Sequence, residues 1–433
     1  MSLFFGKWVD SNGNKYQAPL ACAFIIGIIG SIIYFAASLM VPGFWAAKVV
    51  LLGRFVQGLG VGGKTLCDSW IATAIPLEKQ KTIFTFKSII AIAGSAIGPL
   101  VNIMVAEINM TIEITTTFSI HLNPLNSVGL LVACNEVLLW VIVATFVKDP
   151  PPPMEKMLMS ANLEAPTTVP PPERQAELHD ILKALTNFKI WFTLTQMFVI
   201  SANYCLYVVA IAPVAANMLN WTPVEISNLF AFESIITLLG MGLTLYLSVI
   251  KMSDFAMLSI GHGIFAVSGT FAFLEWRKET ASVFKFVLPL LFLYFVRPFS
   301  GPAIQASFNE AVFSLPEIAG SIGVFQSFLS QSSTLARIII PPLVMSYVVK
   351  GDSQDVSQRS HELSLWALYV PLSSLLMIFG LLYEKFALEE DESKSLVLCN
   401  NPEEMAVLED NMMIMIPNET SKLVTKKEHM III

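Results

Sequence analysis

Of 433 residues, 55% are hydrophobic and 14% are charged, where a soluble domain carries roughly a quarter charged residues. Nonpolar content this high along most of the chain excludes an ordinary soluble protein and points to many membrane crossings. The formal net charge of -7 comes with no basic stretch interleaved with aromatics, which excludes a nucleic-acid binder; the partners expected are a lipid bilayer and a small solute or ion.

The chain opens on "FFGKWVDSNGNKY", in which Gly6, Asp10, Gly13 and Lys15 have the spacing of a polar turn between two membrane helices. Residues 1–17 are therefore read as a cytosolic loop motif. Ten apolar runs follow that are long enough to span a bilayer: 18–41, 46–75, 83–106, 127–147, 190–215, 227–249, 255–275, 284–311, 318–348 and 364–387. The third and ninth contain Pro99 and Pro341-Pro342, breaks that membrane helices tolerate when neighbours satisfy the freed backbone groups. Trp45, Trp140, Trp191, Trp276 and Trp366 fall near run ends, as interfacial anchors do.

The connection 148–189 splits the runs into a bundle of four (18–147) and a bundle of six (190–387). It is proline-rich and ends in "ELHDILKALTNF", where Leu178, Ile181, Leu182 and Leu185 recur at helical spacing. That helix is expected to lie on the membrane surface or on the protein's own cytosolic face. Residues 388–433 read as a disordered cytosolic tail.

Cys22, Cys67, Cys134 and Cys205 sit inside apolar runs and Cys399 in the tail, with neither metal-ligand nor disulfide spacing. The N-terminus lacks the basic segment of a signal peptide. No catalytic triad, zinc motif or phosphate loop is present in the sequence, so neither an enzyme, a cofactor nor a metal is expected. Placing the first loop, the connection and the tail in the cytosol sets about eight Lys/Arg on that side against about six on the other. It also puts the sequons at Asn109 and Asn220 in lumenal loops, with Pro223 weakening the second.

Three segments carry a resemblance. "GKWVDSNGNK" resembles the loop between helices two and three of the major facilitator superfamily. "GRFVQGLGVGG" (53–63), containing Gly58 and Gly60, resembles its fourth-helix signature, and "GSAIGP" (94–99), with Gly94, Gly98 and Pro99, its fifth-helix motif. "HLNPLNSVGLLVACNEVLL", "NMLNWTPVEISNLFAF" and "GVFQSFLSQSSTLARIIIPP" resemble a lysosomal branch that includes a ceroid-lipofuscinosis protein. The superfamily has twelve helices in two bundles of six around a midplane cavity. The fold class implied is an all-α polytopic membrane protein of that type, with this chain beginning at the end of helix two and carrying helices three to twelve. The resemblance further implies that Asp10 faces the start of the helix after Pro316, and that Gly94, Gly98 and Pro99 form a gating bend, simple packing being the alternative.

Charged side chains inside a bilayer are candidates for function. Arg54, Gln57, Val61, Lys64 and Asp68 recur every three or four residues and are expected to share one helix face lining a cavity, with Lys64 and Asp68 forming a local ion pair. By resemblance Arg54 lies near the substrate site; a structural arginine is the alternative. Glu136 and Glu233 are possible proton carriers, with Glu233 expected to reach the interface instead, and His262 is expected to be a packing residue. Arg297 and Arg337 suit an anion or chloride, or pair with a carboxylate such as Glu136. Gln326 and its hydroxyl-rich neighbours line a path or hold helices together. The function expected is transport of a small solute, anionic or chloride, across an endolysosomal membrane. The alternative is a non-transporting receptor or regulatory protein, or an inactive truncated product.

Overall fold

In the computed structural model the described residues are 1–37, 40, 43–106, 110–115, 118–122, 124–150, 178–276, 282–315, 318–348 and 367–386, with the side chains of residues 95–106 and most of those at 110–125 outside that description. Asn109, Trp366, the proline-rich part of the connection and the tail lie outside the described residues. The chain divides into two compact units, residues 1–378 and 379–433. The first holds nearly everything described below; of the second only the end of one helix is described.

The opening segment is not a loop. Residues Ser2–Ser11 form helix α1, which buries Phe5, Gly6 and Val9 on one face. The polar turn is confined to residues 12–16, where Gly13 and Asn14 take positive φ. Then follow α2 (Gln17–Ala37), α3 (Phe44–Gly60), α4 (Gly62–Ala74), α5 (Leu77–Ala106) and α6 (Pro124–Phe146). Between α5 and α6 the strands Met110–Thr115 and Phe118–Leu122 pair antiparallel, a hairpin that the apolar runs did not announce in an otherwise helical chain. Helix α7 (Leu178–Leu185) closes the proline-rich connection. The remaining helices are α8 (Phe188–Leu219), α9 (Pro223–Val249), α10 (Asp254–Glu275), α11 (Val283–Phe313), α12 (Ile322–Val348) and α13 (Ala367–Phe386).

Eight helical segments among the described residues are long and apolar enough to cross a membrane, taking α3 and α4 together as one. α5 and α12 are as long but less apolar, α5 through Glu78, Lys79, Lys81 and Lys87 and α12 through its serines and glutamines. Local sequence sets several boundaries. Asn187 caps α8 by accepting from the Lys189 and Ile190 amides. Thr222 and Glu225 form a capping box in front of α9, with Pro223 in the first turn. Ser253 caps α10 through the Ala256 amide. The run at 46–75 breaks at Val61, inside the glycine-rich "GLGVGG", because each glycine weakens a helix by ~1 kcal/mol relative to alanine.

The first half of the chain packs around Phe5, Val9, Tyr16, Leu20, Ala23, Leu66 and Val143. The second packs around an aromatic cluster in which Trp276 meets Tyr207 edge-on at 5.7 Å and lies 5.5 Å from Phe286. Trp276 is thus a core residue, 1% exposed, and not an interfacial anchor. Trp45 and Trp191 are exposed, as expected of anchors. On α7, Leu178 and Leu182 stay exposed while Ala184 is buried, which leaves an apolar edge free for a bilayer surface.

Helices α2 and α3 touch backbone to backbone. A Cβ on Gly53 would lie 2.6 Å from the Tyr34 nitrogen and 2.9 Å from the Gly30 oxygen, and one on Gly30 would strike Gln57. Such contacts hold membrane helices together where no hydrophobic effect acts between them. Gly53→Ala is therefore expected to destabilise the fold by about 1–2 kcal/mol through overpacking, read as a lower unfolding temperature of the purified protein. An unchanged temperature would mean that α2 and α3 do not approach this closely.

Candidate functional site: a cation-lined cavity

A cavity of about 210 Å³ lies among α4, α5, α8, α9, α11 and α12. Its charged lining residues are Lys64, Lys87, Arg297 and Arg337, and no carboxylate lines it among the described residues. Lys64 and Lys87 come from helices before the proline-rich connection, Arg297 and Arg337 from helices after it. The Arg297 guanidinium stacks on the Tyr204 ring, 3.4 Å from its centroid. Ser201 and Ser333 share a 2.8 Å hydroxyl contact that ties α8 to α12 at the cavity wall. Met197, Met241, Ile200 and Pro302 supply apolar surface between the charges.

The expected polar stripe along residues 54–68 is divided by the break at Val61. Lys64 faces the cavity, but Asp68 pairs with Lys87 on α5 and not with Lys64. The partner a full helix away in space wins over the one a single turn away, because Asp68 is 4% exposed and needs a donor inside the protein. Arg54 and Gln57 do not line the cavity. Arg54 stacks on Tyr34 at 4.3 Å and donates to Gln57 Oε1 at 3.1 Å. Gln57 donates to Ser31 Oγ at 3.2 Å, and Ser31 donates to Glu136 Oε2 at 3.0 Å. Glu136 therefore belongs to a relay across α3, α2 and α6, apart from both cavity arginines.

A second set of contacts joins the two halves of the chain at the end bearing Asp10. The Asp10 carboxylate accepts from the Gly323 and Val324 amides, each at 2.9 Å, at the first turn of α12. Asp10 thus sits at the helix start that follows Pro316, where a carboxylate also meets the positive end of the helix dipole. Gly6 and Gly323 let the backbones meet, since a Cβ on Gly323 would lie 2.7 Å from the Gly6 oxygen. Deeper in, Asn309 donates to Gln80 Oε1 at 2.6 Å, and Gln326 donates to Asn309 Oδ1. Gln80, Asn309 and Gln326 are buried, so Gln326 holds helices together and does not line the cavity. Lys81 bridges to Asp254 at 2.6 Å.

Other candidates fall as follows. Glu233 is 1% exposed and does not reach an interface, and among the described residues its carboxylate has no hydrogen-bond partner. His262 is fully buried in α10, as a packing residue would be, and among the described residues neither of its ring nitrogens has a partner. Ser327 and Ser332 donate to backbone carbonyls of α1 and α8, so most of the polar face of α12 joins helices. Gly60 abuts the α2 backbone, while Gly58 and Gly94 face open space. Gly98 and Pro99 lie where side chains are not described.

Sequence reasoning missed Lys87, Tyr204, Gln80, Asn309 and Asp149. Lys87 had a visible signal, a charge inside the run 83–106. Asp149, at the start of the connection, caps α2 by accepting from the Tyr16 and Gln17 amides at 2.6 and 3.1 Å, a contact no local pattern reveals.

No family model and no curated protein matches the sequence. Solved structures do. A proton:xylose symporter of the major facilitator superfamily, XylE, bound to 6-bromo-6-deoxy-D-glucose aligns with a TM-score of 0.62 at 12% identity, over 87% of this chain and 82% of that one. A bacterial homologue of the iron transporter ferroportin in an outward-facing state gives 0.61 at 13%, over 88% and 86%. The human organic anion transporter MFSD10 (TETRAN) gives 0.59 at 13%, over 88% and 80%. The chain has the fold of the major facilitator superfamily, a multi-pass helical fold.

Proposed function

We propose that the chain is a carrier of a small anionic solute, bound in the cavity by Lys64, Lys87, Arg297 and Arg337. The observation that carries this reading is the convergence of four cations on one cavity, with no carboxylate in its lining among the described residues. Buried cations are costly without a counter-charge, and Asp68 supplies only one. An anion from solution would supply the rest. That the human organic anion transporter shares the fold adds weight.

Both bundles contribute charges, so the solute would be gripped from two sides and carried as the halves rock. The contacts of Asp10, Gln80 and Lys81 close one end of the path, and opening toward that end must break them. On the charge bias of the loops, that end is cytosolic, which leaves the four-plus-six arrangement and its connection as laid out from the sequence. The resemblance to the lysosomal branch is the ground for an endolysosomal membrane, and Gly94, Gly98 and Pro99 remain the proposed gating bend.

Purified protein in liposomes is expected to move at least one of sulfate, succinate and chloride, with flux reduced by Arg337→Gln. Movement of xylose and of none of these anions would count against the reading. Orientation has its own test. Asn109→Gln is expected to remove an endoglycosidase-sensitive mass from protein made in cells. Asn220→Gln is expected to leave that mass unchanged, because Pro223 follows the sequon and the Thr222 hydroxyl is engaged with Glu225. The reverse result would invert this assignment of the two sequons.

A further inference from the structure

The distribution of the four cations narrows the solute. Two belong to the half before the proline-rich connection and two to the half after it, and all four face one cavity. Lys64 lies within repulsive range of Arg297, Arg337 and Lys87. Asp68 offsets one charge, on Lys87 and from outside the lining. Among the described residues the cations therefore outnumber their carboxylate partner, in both halves, and like charges oppose their approach.

A single negative charge can relieve that repulsion on one side only. Neutralising both sides with one molecule needs two anionic groups held apart. The lining has the matching form, since Met197, Ile200 and Met241 provide apolar wall beside the charges. Size sets a further limit. About 210 Å³ is below the ~300–1,000 Å³ of pockets for drug-sized ligands, which suits a small solute. The stacking of Arg297 on Tyr204 occupies the face of the guanidinium and leaves its N–H edge for a planar carboxylate.

Resting on the reading of the cavity as an anion site, we propose that the solute is a small organic dianion whose two charged groups are divided between the halves, one held by Lys64 and Lys87 and the other by Arg297 and Arg337. The dianion then does two things. It fills the site, and it cancels the repulsion that keeps the halves apart, so only a doubly charged solute lets them close fully.

The test is a valence series of one size: succinate, succinamate and succinamide, binding to the full chain in nanodiscs at pH 7.5 and fixed ionic strength. Succinate is expected to bind at least about tenfold more tightly than succinamate, and succinamide not to bind. Lys64→Gln and Arg337→Gln, one from each half, are each expected to collapse the succinate-to-succinamate ratio toward one. The wild-type ratio decides the proposal even if a variant fails to fold. Succinamate binding as tightly as succinate would overturn the dianion while leaving the anion site standing. Succinamide binding as tightly as succinate would overturn both. Binding by none of the three would overturn the proposal, and sulfate and chloride in the same run would decide the anion site: either one binding keeps it, neither binding removes it.

Discussion

Arg297→Ala is expected to lower anion uptake into liposomes by about 30-fold, the equivalent of about 2 kcal/mol for one lost charge-assisted hydrogen bond. Arg297 is held at the cavity wall by Tyr204, which stacks on it at 3.4 Å. Removing the guanidinium takes away both the charge and the planar fork. Arg297→Lys keeps the charge but neither the stack nor the fork, and should recover only part of the loss. The readout that separates binding from structure is the solute concentration at half-maximal uptake. A binding role raises it while the protein stays monodisperse. Wild-type uptake in Arg297→Ala would remove Arg297 from the site.

The second large effect is expected at Asp10. Asp10→Ala leaves two amides at the start of α12 without acceptors and removes a carboxylate from the helix terminus. The loss should be about 1–3 kcal/mol, two hydrogen bonds at about 0.5–1.5 kcal/mol each. Hydrogen exchange at Gly323 and Val324 should accelerate before any global unfolding. Protection unchanged in Asp10→Ala would show that the contact does not hold that turn. The pH dependence follows from burial. Burial pushes the Asp10 carboxyl up to about 7, outweighing the two amides that pull it down. Its folded value lies above its unfolded value of 3.8, so the folded chain keeps a proton that the unfolded chain has released. The stability this contributes is fully present below pH 3.8 and is lost as pH rises to about 7. Asp10→Asn should flatten that slope between pH 4 and 7 in thermal unfolding of the purified protein.

The helices could be read from the sequence because a bilayer demands long apolar runs and such runs are visible in one dimension. The break at Val61 was visible too, as four glycines in "GLGVGG" and its flanks, but the polar period 54–57–61–64–68 ran across it and concealed it. Arg297 and Arg337 stood out as charges in apolar helices. Their convergence with Lys64 and Lys87 did not, since the four cations come from four helices in opposite halves of the chain. Glu233 and Trp276 show the same limit. Position near a helix end suggested an interface, yet which face of a helix meets protein is decided by partners far away in sequence. The place of Asp10 came from the resemblance and not from the residues, because nothing local points from residue 10 to residue 323.

The contact of Gln80, Asn309 and Gln326 has a consequence of its own. It contains no ionisable group, so neither acid nor salt alters it. The neighbouring contacts differ: Asp10 titrates, and the partly exposed Lys81–Asp254 pair is screened as ionic strength rises. The closed end is thus fastened by parts with unlike responses to the medium. On the carrier reading proposed above, a change of compartment would weaken the ionic contacts at that end while the amide contact kept its strength whatever the solution outside.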